Sequence, residues 1–95
     1  MVKITLAAAA TLVATAFARN CTPGLVYCGW NLLRVGNYQE QVNRAISQKG
    51  WNVNGKNIHD TLFNCLGGPN GEIDVLDWCS GNCADGGEGH NDFCN

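Results

Sequence analysis

The sequence predicts a small α+β domain in which one main helix packs on a short antiparallel sheet and disulfides staple the fold. Three observations lead to this fold class. Six cysteines all lie in the part of the chain from Cys21 to Cys94. One segment near the middle of the chain has strong helical periodicity. Further along, two segments of strand-like composition flank a glycine-rich turn.

The main helix is predicted over residues 38–49, where apolar side chains recur at spacings of three and four. Asn37 is expected to cap its N-terminus, because Glu40 follows at the spacing of a capping box. Lys49 suits the negative C-terminal end of a helix. Gly50 suits the left-handed position that often follows a helix.

Shorter elements are predicted on both sides of this helix. A strand over residues 25–27 is followed by a single helical turn at residues 30–33. A hairpin is predicted from strands at residues 61–66 and 72–78, joined by the loop at residues 67–71. Apolar and acidic residues alternate in the second of these strands, which is the pattern of a half-buried strand.

The N-terminal residues have the composition of a secretory signal peptide. Lys3 supplies a positive charge, and the residues from 4 to 17 that follow are uncharged and mainly apolar. Ala16-Phe17-Ala18 is a small-x-small cleavage sequence, so we expect cleavage after Ala18, with a cut after Ala16 as the alternative. The expected organisation is a signal peptide at residues 1–18 and a single cysteine-rich domain at residues 19–95.

Export would place the cysteines in an oxidising compartment, where three disulfides are the expected state. The cysteines are Cys21, Cys28, Cys65, Cys79, Cys83 and Cys94. Spacing leaves their pairing open. We expect a bond from Cys83 to Cys94 that closes the glycine-rich loop of residues 80–95, and bonds that tie the two N-terminal cysteines to the region of the two central ones.

The charge balance excludes some classes of partner. The chain has six Lys and Arg against eight Asp and Glu, and loss of Lys3 with the signal peptide makes the net charge more negative. The basic residues are scattered, so the phosphate contacts that dominate nucleic-acid binding are not available. An acidic chain is also unsuited to anionic membranes. We expect a monomer that binds no nucleic acid and does not insert into a membrane after signal removal.

No metal, cofactor or catalytic site is expected. Cys79, Cys83, His90 and Cys94 are zinc-ligand types, but their spacing differs from that of a zinc knuckle and disulfides are favoured after export. Residues 85–92 are similar to a calcium loop in composition alone. The acidic residues of the last predicted strand fit a solvated face better than the paired carboxylates of a hydrolase.

The binding surface is expected on the polar segment after the main helix, residues 51–57, on the polar face of that helix or on the acidic tail. Within the polar segment, Trp51 is the best candidate for an exposed aromatic contact. The candidate contact residues are Trp51, Asn54 and Lys56. Trp30 and Trp78 lie next to or near cysteines, and we expect both in the core.

One N-glycosylation sequon, Asn20-Cys21-Thr22, makes Asn20 a candidate glycosylation site. The asparagine would lie close to the new N-terminus after cleavage. The middle residue of the sequon is a cysteine that is expected to form a disulfide. Both features work against attachment of a glycan, and the sequence leaves occupancy open.

Several segments together are similar to a known family. They are the run from Cys21 to Gly29, Leu32-Leu33 with Gly36-Asn37-Tyr38, Leu62-Phe63-Asn64-Cys65, Gly67-Gly68, and the tail from Cys83 to Gly87 with Asp92-Phe93-Cys94. With them the chain resembles small cysteine-rich secreted effector-like proteins of plant-associated filamentous fungi, of the biotrophy-associated secreted protein type. The resemblance implies secretion during colonisation of a host plant, a role in virulence and no catalytic residues. A broader likeness to killer-toxin-like effectors rests on architecture alone.

The function expected from the sequence is that of a secreted fungal effector that binds an unknown host protein or cell-wall component and is not an enzyme. It would act in the host apoplast or at the host–fungus interface, with translocation into the host cell as the alternative. Two other functions stay open. One is a carbohydrate- or cell-wall-binding module that uses exposed aromatic rings, and the other is a killer-type antimicrobial toxin, against which the negative charge counts.

Overall fold

The computed structural model describes residues 20–95, so the predicted signal peptide at residues 1–18 lies outside the described residues. In the described part, no helix is long and apolar enough to span a bilayer. The elements in chain order are β1 (Val26–Cys28), α1 (Gly29–Val35), α2 (Gln39–Gln48), α3 (Gly55–Asp60), β2 (Thr61–Gly67), β3 (Glu72–Trp78), β4 (Cys83–Ala84) and β5 (Phe93–Cys94). This mixture of helices and antiparallel sheets is the α+β class predicted from the sequence.

The strands form two separate antiparallel sheets. The larger sheet has the order β1-β2-β3, and β4 pairs with β5 in a two-stranded sheet. The sequence predicted one main helix and a single helical turn, whereas the described chain contains three helices. The predicted loop at residues 80–95 likewise contains the two short strands β4 and β5.

Helix α2 agrees with the predicted helix to within one residue at each end, but its N-terminus differs from the prediction. Tyr38, not Asn37, is the N-cap residue, and no side chain caps the helix. The reason lies in the core, where the buried Tyr38 hydroxyl donates to the Gly71 carbonyl oxygen at 2.8 Å. The same hydroxyl accepts a hydrogen bond from the Cys21 backbone N–H at 3.0 Å. Tyr38 therefore fastens the start of α2 to the hairpin turn and to the N-terminal segment.

The main core lies between the helices and one face of the larger sheet. Val42 and Ile46 of α2 belong to the same buried cluster as Leu32 of α1 and Phe63 of β2, and all four are fully excluded from solvent. Burial of one such side chain contributes roughly 1.5–3 kcal/mol. The three-and-four spacing on α2 is thus the pattern of a face that packs on the sheet.

The β2–β3 hairpin matches the predicted strands closely. Phe63 pairs with Val75 and Cys65 pairs with Ile73, so the inward-facing residues of the two strands stand opposite one another. The register shifts between Leu62 and Phe63, as in a β-bulge. Such an irregularity bends the strand and re-aims the side chains beyond it.

Helix α3 was missed because Asn54-Gly55 has the composition of a turn. Asn54 instead caps the helix, and its side chain accepts a hydrogen bond from the Asn57 backbone N–H at 2.8 Å. The helix packs so closely on α1 that a Cβ atom at Gly29 would overlap the Ile58 carbonyl oxygen. Glycine at position 29 therefore permits the contact between the two helices.

Three disulfides connect the elements, and they are Cys21–Cys65, Cys28–Cys83 and Cys79–Cys94. The expected Cys83–Cys94 bond is wrong. These two residues are Cα partners in the β4–β5 sheet, but each sulfur bonds to a cysteine outside it. Backbone pairing already holds β4 to β5. The sulfurs of Cys83 and Cys94 instead link the small sheet to β1 and to the residue after β3.

Candidate functional site

The structure gives three different roles to the predicted contact residues. Asn54 caps α3, so its side-chain oxygen is already used within the fold. Lys56 is also engaged, because its Nζ lies 2.7 Å from Asp60 Oδ2 and donates to the Gly81 carbonyl oxygen at 2.6 Å. Trp51 lines a surface depression. Binding at Trp51, Asn54 and Lys56 stays a prediction.

The carboxylate beneath Lys56 is the most buried charge near this surface. Asp60 is 4 % exposed, and its Oδ1 lies 2.7 Å from His59 Nδ1 and accepts from the Cys83 N–H at 3.0 Å. Burial alone would raise the pKa of this carboxyl group. The hydrogen bonds from Lys56, His59 and Cys83 outweigh burial and lower its pKa to about 2. Asp60 is thus a structural anion that joins α3 to the start of β4.

Trp51 and Trp78 line one shallow depression of about 450 Å³ together with Gly50, Asn52 and Asn57. Trp51 is half-buried and packs against the main core. Trp78 is 38 % exposed, so the expectation that it lies in the core is wrong. Trp78 ends β3, which is an edge strand. The Lys56 ammonium lies 5.2 Å from the centroid of its ring and holds it by a cation–π contact.

Several polar groups around this depression have no partner within residues 20–95. The indole N–H groups of Trp51 and Trp78 and the side-chain amide of Asn52 make no hydrogen bond there, whereas the indole N–H of Trp30 donates to the Cys83 carbonyl oxygen at 2.9 Å. The Asn57 Nδ2 donates to the Asn52 carbonyl oxygen at 2.6 Å, which leaves its Oδ1 as an acceptor. The depression thus combines two aromatic rings with uncommitted donors and an acceptor.

Two acidic residues of the glycine-rich tail, Asp85 and Asp92, make contacts within the fold. Asp92 is buried, and its carboxylate accepts hydrogen bonds from the Cys28 N–H at 2.8 Å, the Asn31 Nδ2 at 3.0 Å and the Gly86 N–H at 2.9 Å. The pKa of Asp85 is lowered, mainly by the Gly87 backbone N–H and further by Arg34. Within residues 20–95, no group of three or more His, Cys, Asp or Glu side chains is placed to hold a metal ion.

The candidate glycosylation residue lies at the edge of the described chain. Asn20 is exposed, and its Nδ2 donates to the Pro69 carbonyl oxygen at 3.3 Å. The next residue of the sequon, Cys21, is buried in the disulfide to Cys65. Glycosylation at Asn20 stays a prediction, and Asn20 is not among the residues that line the depression formed by Trp51 and Trp78.

Comparison with protein-family models, curated proteins and solved structures finds no match for this chain. The function is therefore inferred from the geometry of residues 20–95. These residues form a small three-disulfide α+β protein with a shallow aromatic depression between the end of α2, the start of α3 and the end of β3.

Proposed function

We propose that the protein is a secreted effector of a plant-colonising fungus, which acts by binding a host protein or a cell-wall component. The observation that carries the proposal is the network of three disulfides in so short a chain. In the chain-entropy model, bonds that span 44, 55 and 15 residues contribute about 4, 4 and 3 kcal/mol. Such bonds persist in oxidising environments, which supports an extracellular site of action.

The location of action is the host apoplast or the host–fungus interface. A reducing cytosol would remove the disulfides that stabilise the fold, so action inside the host cell is the less favoured alternative. Binding, and not catalysis, is proposed because the charged pair beside the Trp78 ring is engaged within the fold. Lys56 and Asp60 pair with each other, and Asp60 is buried.

The test is expression of the chain in host leaves in two forms, one with residues 1–18 and one without them. The secreted form is expected to alter immune responses or fungal colonisation, whereas the form without the leader should have little effect. An effect from the leaderless form alone would move the site of action into the cell. Unchanged immunity and colonisation with both forms would refute the effector proposal.

Cell-wall binding is a second candidate function, and the depression lined by Trp51 and Trp78 favours it. Exposed aromatic rings are apolar surfaces on which sugar rings pack. The wild-type protein should then be retained on insoluble chitin or cellulose, and Trp51→Ala should reduce retention. Equal retention of both proteins would remove Trp51 from the binding surface.

A further inference from the structure

We infer that the depression lined by Trp51 and Trp78 binds a neutral oligosaccharide of β-linked hexopyranose units. This inference deepens the cell-wall-binding form of the proposed function and rests on it. The volume of about 450 Å³ lies within the range of roughly 300–1,000 Å³ that is typical of small-molecule sites. Two tryptophans that are distant in the sequence line the site, and the sequence alone indicated only Trp51 as a contact residue.

The two rings provide the apolar part of the site. A β-linked hexopyranose has its hydroxyl groups mainly equatorial, so each face of the ring presents C–H groups that pack on an indole. Trp51 is held by its contact with the main core, and Trp78 is held by strand β3 and by the Lys56 ammonium. Rings that are already fixed lose little conformational entropy when a ligand binds.

The polar groups beside the rings match the hydroxyl groups of a sugar. Each hydroxyl can donate one hydrogen bond and accept others. The indole N–H groups and the Asn52 amide can donate, and the Asn57 Oδ1 can accept. A purely apolar ligand would leave these groups without partners, which disfavours its binding.

The charge of the residues that line the depression indicates the charge of its ligand. None of the five residues that line the depression is charged, namely Gly50, Trp51, Asn52, Asn57 and Trp78. Lys56, whose ammonium lies 5.2 Å from the centroid of the Trp78 ring, is paired with Asp60 at 2.7 Å. An acidic oligosaccharide would therefore lack an ion-pair partner among these residues. Because the depression is shallow, we expect weak binding, with a dissociation constant of roughly 0.1–1 mM for a short oligomer.

The experiment is a ¹H–¹⁵N NMR titration of the oxidised protein with hexasaccharides of chitin, cellulose and β-1,3-glucan. The indole N–H signals of Trp51 and Trp78 should shift with at least one of these neutral probes. The indole signal of Trp30 is an internal reference, because its N–H already donates to Cys83, and it should stay in place. The responding probe identifies which wall polymer supplies the ligand.

Two variants test the contribution of the rings. Trp78→Ala should weaken binding at least tenfold, and its NMR spectrum reports whether the fold is retained. Leu66→Ala is the control, because Leu66 is 57 % exposed and does not line the depression, and its affinity should equal that of the wild type. If Trp78→Ala fails to fold, Asn52→Ala, at an exposed position, should weaken binding by severalfold.

Three results would overturn the inference. One is that no indole signal shifts with any neutral hexasaccharide. Another is that a proline-rich peptide shifts the Trp51 and Trp78 signals while the sugars do not, which would make the site a protein-binding site. The third is that Trp78→Ala is retained on insoluble chitin or cellulose as well as the wild type. Cell-wall binding would then occur at another surface of the protein. Sugar binding without any effect in leaves would refute the effector role and leave this site intact.

Discussion

Replacement of Asp60 by Asn is expected to destabilise the protein, and the size of the effect should depend on pH. The carboxylate is buried, pairs with Lys56 Nζ at 2.7 Å and accepts from the Cys83 N–H at 3.0 Å. An Asn side chain has the same shape, but it carries no charge and turns an NH₂ group or a neutral oxygen toward the ammonium. We expect a loss of about 2–4 kcal/mol in the free energy of unfolding at neutral pH.

The pH dependence follows from the pKa of Asp60. Folding lowers this pKa from 3.8 to about 2, because the hydrogen-bond donors around the carboxylate outweigh its burial. A carboxyl group with a lowered pKa stabilises the fold above its unfolded-state pKa, and this stabilisation is lost as the pH falls through the folded-state value. The shift corresponds to about 2 kcal/mol. The difference between wild type and Asp60→Asn should therefore shrink by about this amount between about pH 5 and about pH 1.5.

The assay is urea unfolding followed by circular dichroism, with the disulfides intact, over this pH range. Asp74→Asn is the matched control, since Asp74 is exposed and, among residues 20–95, its side chain accepts only from Asn64 Nδ2 at 3.1 Å. Its stability should stay within about 0.5 kcal/mol of the wild type. A stability difference for Asp60→Asn that is the same at every pH would show that packing, and not charge, accounts for the loss.

Two further substitutions test contacts in the core by the same urea-unfolding measurement. Tyr38→Phe should lose about 2–3 kcal/mol, because it leaves the Gly71 carbonyl oxygen without its buried donor, and an unchanged midpoint would contradict this role. Gly29→Ala should lose more than about 4 kcal/mol or prevent folding, because the new Cβ would overlap the Ile58 carbonyl oxygen. Gly81→Ala is its control, since a Cβ there meets no atom closer than 3.8 Å, and wild-type stability of Gly29→Ala would refute the predicted overlap.

The elements with long, regular patterns were predictable from the sequence. The apolar spacing of α2 and the alternation in β3 each reflect one face turned toward the core, so both segments were placed within one residue of their bounds. The N-cap of α2 was not predictable. Its position depends on the Tyr38 hydroxyl, which bonds to Gly71 and Cys21, and such distant partners leave no local pattern.

The candidate site was predictable only in part, for a similar reason. Trp51 was singled out because it stands in a polar segment, and it does line the depression. Trp78 was assigned to the core because it precedes a cysteine, whereas its position at the end of an edge strand exposes it. Asn54 and Lys56 are exposed, as their polar side chains suggest, but the sequence does not show which contacts they make. Only the fold shows that one caps α3 and the other pairs with Asp60.

The disulfide pairing has a consequence for damage by proteases. The spans overlap in sequence, since Cys28 lies between Cys21 and Cys65, and Cys79 lies between Cys28 and Cys83. One cut at any peptide bond between the first and last cysteine therefore leaves both pieces joined by at least one bridge. A nicked chain would gain the mass of one water yet migrate as a single species until a reductant separates its fragments.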